Sequence, residues 1–88
     1  LGRKTAQERI ASFLLELPSR DPLRPQAEDQ VRLPMTRSEI ADYLGLTIET
    51  VSRVLTKFKT TGVIRLLSLS ELRIEEPERL RDIAEGEA

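Results

Sequence analysis

The 88-residue chain contains no cysteine and no histidine. Without cysteine it can form no disulfide and no thiolate metal site within this stretch. Without histidine it lacks the commonest general base and the commonest metal ligand. It also has no glycine-rich phosphate loop and no isolated pair of carboxylates. Together these absences argue against an enzyme: they leave no candidate catalytic residue, no metal ligand set and no cofactor for this domain. No apolar run approaches the roughly 18 residues that span a membrane. The opening stretch "LGRKTAQER" is polar and lacks the apolar core of a signal peptide. A cytoplasmic protein is the expectation. Leu1 is not a usual initiator, and the first helical pattern starts a few residues later, so the chain reads as part of a longer protein.

What is present describes one small domain over residues 1–88. Apolar residues make up 39%, enough for one thin core and too little for a deep catalytic cleft. The net charge of −1 does not by itself suggest a polyanion partner, but its distribution does. Residues 1–62 carry ten Lys/Arg against eight Asp/Glu, and residues 63–88 carry four against seven. No acid occurs between Thr50 and Ser70, where Arg53, Lys57, Lys59 and Arg65 lie. A local basic stretch of this kind can serve phosphates within an acidic domain. It can equally be a solvated helix face.

Local signals divide the chain. Thr5 with Glu8 three residues later forms a capping box, and Ala6, Ile10, Phe13, Leu14 and Leu17 share one helical face. This gives a first helix within residues 1–17, ended by Pro18. Ser19 to Gln30 reads as an exposed loop. "VRLPM" (31–35) reads as a short extended piece, with Pro34 favouring an edge. Thr36 and Glu39 form a second capping box, with Met35 and Ile40 placed as a hydrophobic staple. That helix runs to about Leu44, and Gly45 stands where helices commonly end in a left-handed residue. Thr47 caps a third helix with Ile48, Val51, Val54, Leu55 and Phe58 as its buried stripe, closed by Gly62. Val63 to Leu67 is then β-rich, and Leu72 and Ile74 alternate with charged residues. These pieces suggest a hairpin with an irregular turn near Ser68 to Ser70, which lacks the glycine or asparagine of a two-residue loop. Pro77 suits the first turn of a last helix, with Leu80, Ile83 and Ala84 inward and Gly86 beyond its end.

Three helices, a hairpin and a short C-terminal helix make a mainly α winged helix-turn-helix. Its parts are the first helix (1–17), the helix-turn-helix (36–62), the wing (63–75) and the last helix (77–85). The helix-turn-helix rests on packing. A small residue must sit where the two helices cross, a residue tolerant of positive φ must make the turn, and a β-branched residue must fill the gap beyond it. Ala41, Gly45 and Val51 supply these at the required spacing. An ordinary helical hairpin is the bland alternative.

The opposite face of the third helix carries Glu49, Ser52, Arg53, Thr56 and Lys57. In helix-turn-helix proteins the N-terminal half of the second helix meets base edges. Arginine can bond guanine bidentately, and glutamate can accept from cytosine. Glu49, Ser52 and Arg53 are therefore the candidate base readers. Thr36, Arg37, Ser38 and Thr47 lie near helix N-termini, where free N–H groups favour phosphate. With Thr56, Lys57 and Lys59 they form the candidate backbone contacts. The bland reading of Glu49 and Arg53 is an exposed i, i+4 ion pair. Thr50 and Thr60 read as surface residues. A winged helix that uses this face against a protein partner, without specific DNA binding, is the alternative from another class. Such a face should be apolar or acidic, which Ser52, Arg53 and Lys57 are not.

The stretch "MTRSEIADYLGLTIETVSRVLTKFKTTGVI" resembles the C-terminal domain of the Crp–Fnr family of bacterial transcription regulators. The string "ETVSR", with Glu49, Ser52 and Arg53, is similar to the E-x-x-S-R signature of its Fnr and FixK branch. The likeness is closest over residues 31–66. It implies sequence-specific binding of double-stranded DNA, with a recognition helix over 48–61 in the major groove of a TTGAT-like half-site. It also implies a palindromic TTGAT–N4–ATCAA operator, a homodimeric regulator and contact with RNA polymerase. Arg53 would read the guanine of each half-site, Glu49 the opposite strand and Ser52 the outer thymine. The intact regulator would add an N-terminal β-roll sensor domain and a long dimerisation helix, both outside this chain. The wing "LLSLSEL" departs from the family pattern in being more apolar and in lacking a turn glycine, so the resemblance leaves open whether the wing touches DNA.

Overall fold

A computed structural model describes residues 4–17 and 30–86. The expected stop at Pro18 and most of the loop after it lie outside the described residues. The chain forms α1 (Ala6–Glu16), β1 (Gln30–Arg32), α2 (Arg37–Leu44), α3 (Ile48–Thr60), β2 (Ile64–Leu66), β3 (Glu71–Ile74) and α4 (Pro77–Ala84).

Both expected capping boxes form. The Thr5 hydroxyl accepts from Glu8 N–H, and the Glu8 carboxylate accepts from Thr5 N–H. Thr36 and Glu39 repeat the arrangement. Ile10, Phe13 and Leu14 of α1 are buried against Ile40 and Ala41 of α2 and Val51, Val54, Leu55 and Phe58 of α3. Each fully buried aliphatic or aromatic side chain contributes roughly 1.5–3 kcal/mol. α4 starts at Pro77, packs on α1 and buries Leu80 and Ala84 completely or nearly so, with Ile83 half-buried beside them.

Three readings of the sequence are extended or changed. First, the expected hairpin forms from β2 and β3, and β1 joins it to make a three-stranded antiparallel sheet ordered β1-β3-β2. Val31 of β1 lies opposite Leu72, and Ile64 of β2 lies opposite Ile74. Alternation then places Val31, Ile64, Leu72 and Ile74 on the core side. Pro34 lies just past the end of the edge strand β1, where its missing N–H disturbs no ladder. Second, strand pairing ends at Leu66, and Leu67 opens into the turn with 42% of its surface exposed. Leu67 and Ser68 N–H groups both donate to Glu71 O, which closes the irregular turn. Third, Ile48 does not join the buried stripe of α3; it is 44% exposed. A helical side chain lies over the turn before its own Cα, and Ile48 is the first residue of its helix.

Candidate nucleic-acid interface

The site is built on the joint between α2 and α3. Ala41 and Val51 are buried at 3% and 0% exposure, so the two helices meet at a small and a β-branched residue. Gly45 between them has φ +71°, a conformation that costs other residues about 1–2 kcal/mol. α2 is fastened to α1 as well: the Tyr43 and Phe13 rings lie 5.9 Å apart, inclined at 55°.

With the core side of α3 fixed, its other side is fixed too. At about 100° per residue, Glu49, Arg53 and Thr56 fall within about 60° of one another, facing away from Val51, Leu55 and Phe58. Ser52 flanks them on one side and Lys57 on the other, and Lys59 lies on the Ser52 side. All six are exposed. The structure thus brings the three candidate readers onto one open face with Thr56 and Lys57.

The helix starts supply a second kind of group. Thr47 Oγ1 accepts from Thr50 N–H at 3.2 Å, which leaves the Ile48 and Glu49 N–H groups with no intrahelical partner. The capping box of α2 likewise leaves the N–H groups of Arg37 and Ser38. Thr36, Ser38 and Thr47 are exposed, whereas Arg37 is half-buried. Its Nη1 donates to the Leu69 carbonyl of the wing turn at 3.1 Å. Arg37 therefore ties the wing to the start of α2 before any ligand is present.

The Glu49–Arg53 ion pair of the bland reading does not form. Among the described residues the ion pairs are Arg32–Glu71 and Arg79–Glu76. Arg53 Nη2 instead donates to Thr50 Oγ1 at 3.4 Å, and that hydroxyl accepts from Thr47 Oγ1 at 2.9 Å. Thr50 is half-buried and supports Arg53, where sequence reading left it a plain surface residue. Two further residues gave no sequence signal. Arg9 Nη1 donates to Leu44 O at 3.0 Å, and Arg79 Nη1 donates to Thr61 O at 3.3 Å. Both reach across the fold to the end of a helix-turn-helix element, and such bonds leave no periodicity to detect.

A helix-turn-helix joined to a small sheet, with one open face of short polar and cationic side chains, defines a winged helix-turn-helix DNA-binding domain. Comparison with known proteins gives the family: residues 8–83 match the Crp-like helix-turn-helix domain, and the chain belongs to that family of transcription-regulator domains. It is 51% identical over 83 residues to the nitrogen fixation regulation protein FixK of Rhizobium meliloti, covering 94% of this chain and 37% of that protein. It is 53% identical over 64 residues to the transcriptional activator FnrA of Stutzerimonas stutzeri, covering 73% of this chain and 26% of that protein. Among solved structures, FixK2 from Bradyrhizobium japonicum matches with a TM-score of 0.80 and 40% identity over 94% of this chain and 40% of that one. The catabolite activator protein of Thermus thermophilus matches with a TM-score of 0.71 and 34% identity, covering 94% of this chain and 35% of that one. The chain thus spans about a third of the length of these relatives. Among the described residues no helix is long and apolar enough to cross a membrane.

Proposed function

We propose that this domain reads a TTGAT-like half-site by laying α3 in the major groove. Arg53 bonds guanine, Glu49 engages the opposite strand, and Ser52 meets the outer thymine. Thr36, Arg37, Ser38, Thr47, Thr56, Lys57 and Lys59 hold the sugar–phosphate backbone on either side. The observation that carries this reading is the shared open face of Glu49, Ser52 and Arg53 at the N-terminal half of α3, the half that meets base edges in helix-turn-helix proteins. The chemistry of the three side chains suits a half-site containing G·C beside A·T pairs. The flanking hydroxyls, cations and free N–H groups suit phosphate.

The whole regulator, on this reading, is a cytoplasmic, non-enzymatic homodimer. It binds a palindromic operator and contacts RNA polymerase. Two-fold symmetry in the protein is matched by two-fold symmetry in the DNA. A single domain engages one half-site at a time and should bind weakly, because the gain from joining two modules is absent. Titration of a labelled TTGAT–N4–ATCAA duplex against a scrambled duplex of equal composition tests the proposal. The operator duplex should be preferred by at least about tenfold, the loss of one good base contact. Equal affinity for the two would contradict it.

A further inference from the structure

Two arginines from outside the helix-turn-helix bond its two helix ends in the same way. The last four carbonyls of a helix have no intrahelical partner. At the end of α2, Leu46 N–H donates to Ala41 O at 2.8 Å and Gly45 N–H to Asp42 O at 3.4 Å, the paired bonds of a glycine-terminated helix. The Leu44 carbonyl, just before Gly45, accepts from Arg9 of α1 at 3.0 Å. At the end of α3, Val63 N–H donates to Phe58 O at 2.9 Å and Gly62 N–H to Lys59 O at 3.1 Å. The Thr61 carbonyl, just before Gly62, accepts from Arg79 of α4 at 3.3 Å. Each arginine therefore takes the equivalent carbonyl, one residue ahead of a left-handed glycine.

The two braces differ in what depends on them. α3 carries Lys57 and Lys59 in its own last turn, whereas α2 has no basic residue there. A cation is favourable at that negative helix end, and for α2 it comes from Arg9. Arg9 is half-buried, and its bond is the shorter of the two. Arg79 is exposed and shares its guanidinium with Glu76 at 3.6 Å. Location separates them further. Leu44 opens the turn that launches α3, and Glu49, Ser52 and Arg53 follow within its first two turns. Thr61 lies at the far end of α3, about 20 Å away along a 13-residue helix at about 1.5 Å per residue.

We propose that Arg9 is a positioning residue for base reading: by fixing the Leu44 carbonyl to α1, it sets the angle at which the reading end of α3 leaves the turn. Arg79 braces the distal end and contributes stability only. The proposal rests on the DNA-reading role of α3 given above.

The test compares Arg9→Met, Arg9→Lys and Arg79→Met with the unaltered chain. Each variant's affinity is measured for the sequence that the unaltered chain selects from random duplexes and for a scrambled duplex, at a temperature where circular dichroism shows it folded. Arg9→Met should lose about tenfold on the selected duplex and hold within about twofold on the scrambled one, as expected when a charge-assisted bond orients readers but touches no phosphate. Arg9→Lys, which keeps a cation near Leu44 O, should recover part of the loss. Arg79→Met should lower the melting temperature and keep the preference. Residual dipolar couplings of the DNA-free chain should show the α2–α3 angle changed in Arg9→Met and unchanged in Arg79→Met. A folded Arg9→Met with unaltered preference and couplings overturns the proposal, as does equal loss on both duplexes. If Arg9→Met does not fold, the intermediate preference and angle expected of Arg9→Lys decide. If the unaltered chain selects no sequence, the DNA-reading role itself fails, and the couplings alone decide whether Arg9 sets the angle.

Discussion

At the scale of single residues, the proposed function divides the open face of α3 into readers and holders. Replacing Arg53 by Ala should cost roughly 1–3 kcal/mol on the preferred duplex and relax selectivity at the guanine. Competition among duplexes varied at that one base pair measures it, and unchanged selectivity would remove Arg53 from the readers. Lys57→Ala should instead weaken all sequences alike and reduce the salt slope by about one unit, as loss of one phosphate contact does. An effect confined to one sequence would make Lys57 a reader. The candidate readers were legible because chemistry and helical periodicity together single them out. Their local geometry was not. Spacing alone favours a Glu49–Arg53 ion pair, yet Arg53 turns to the Thr50 hydroxyl. For exposed groups the pairing is worth only a few tenths of a kcal/mol, so a nearby hydroxyl already held by Thr47 competes with it.

Among the elements, the turn between α2 and α3 has the sharpest sequence requirement. Gly45→Ala should destabilise the domain by about 1–2 kcal/mol through backbone strain alone, because the added Cβ would meet only Arg9 Nη1 at an ordinary 3.6 Å. Urea unfolding measures this, and a neutral result would mean that the left-handed conformation is not required. This turn and the two capping boxes were legible because each is written in residues a few positions apart. The sheet was legible only in part. β2 and β3 are joined by a four-residue turn, whereas β1 pairs with β3 across about 40 residues, and its three residues are too few to show alternation. Ile48 has the right spacing for the core and is misplaced only because it stands at the helix start. Arg9 and Arg79 bond backbone carbonyls 35 and 18 residues away, a relation that no local pattern encodes.

For the molecule as a whole, charge and shape point to a division of labour. The open face of α3 carries Arg53, Lys57 and Lys59 beside the one acid of that helix, Glu49; no acid lies between Thr50 and Ser70, and α4 and the residues around it hold most of the acids of the C-terminal part. A domain with a net charge of −1 can approach DNA on this basis, because phosphates respond to the local field at contact distance once salt has screened the remainder to about 8–10 Å. Fold and family place the chain among Crp-like regulators, and the TTGAT-like half-site is the further step proposed above, resting on the likeness of Glu49, Ser52 and Arg53 to the Fnr and FixK signature. Selection of binding sites from random double-stranded DNA, followed by sequencing of the bound pool, tests that step most directly. Enrichment of TTGAT-like half-sites, with the guanine lost from the consensus in Arg53→Ala, is the predicted result. A pool no different from the input, or a consensus unaltered by Arg53→Ala, would contradict the assignment of α3 as a reader of sequence.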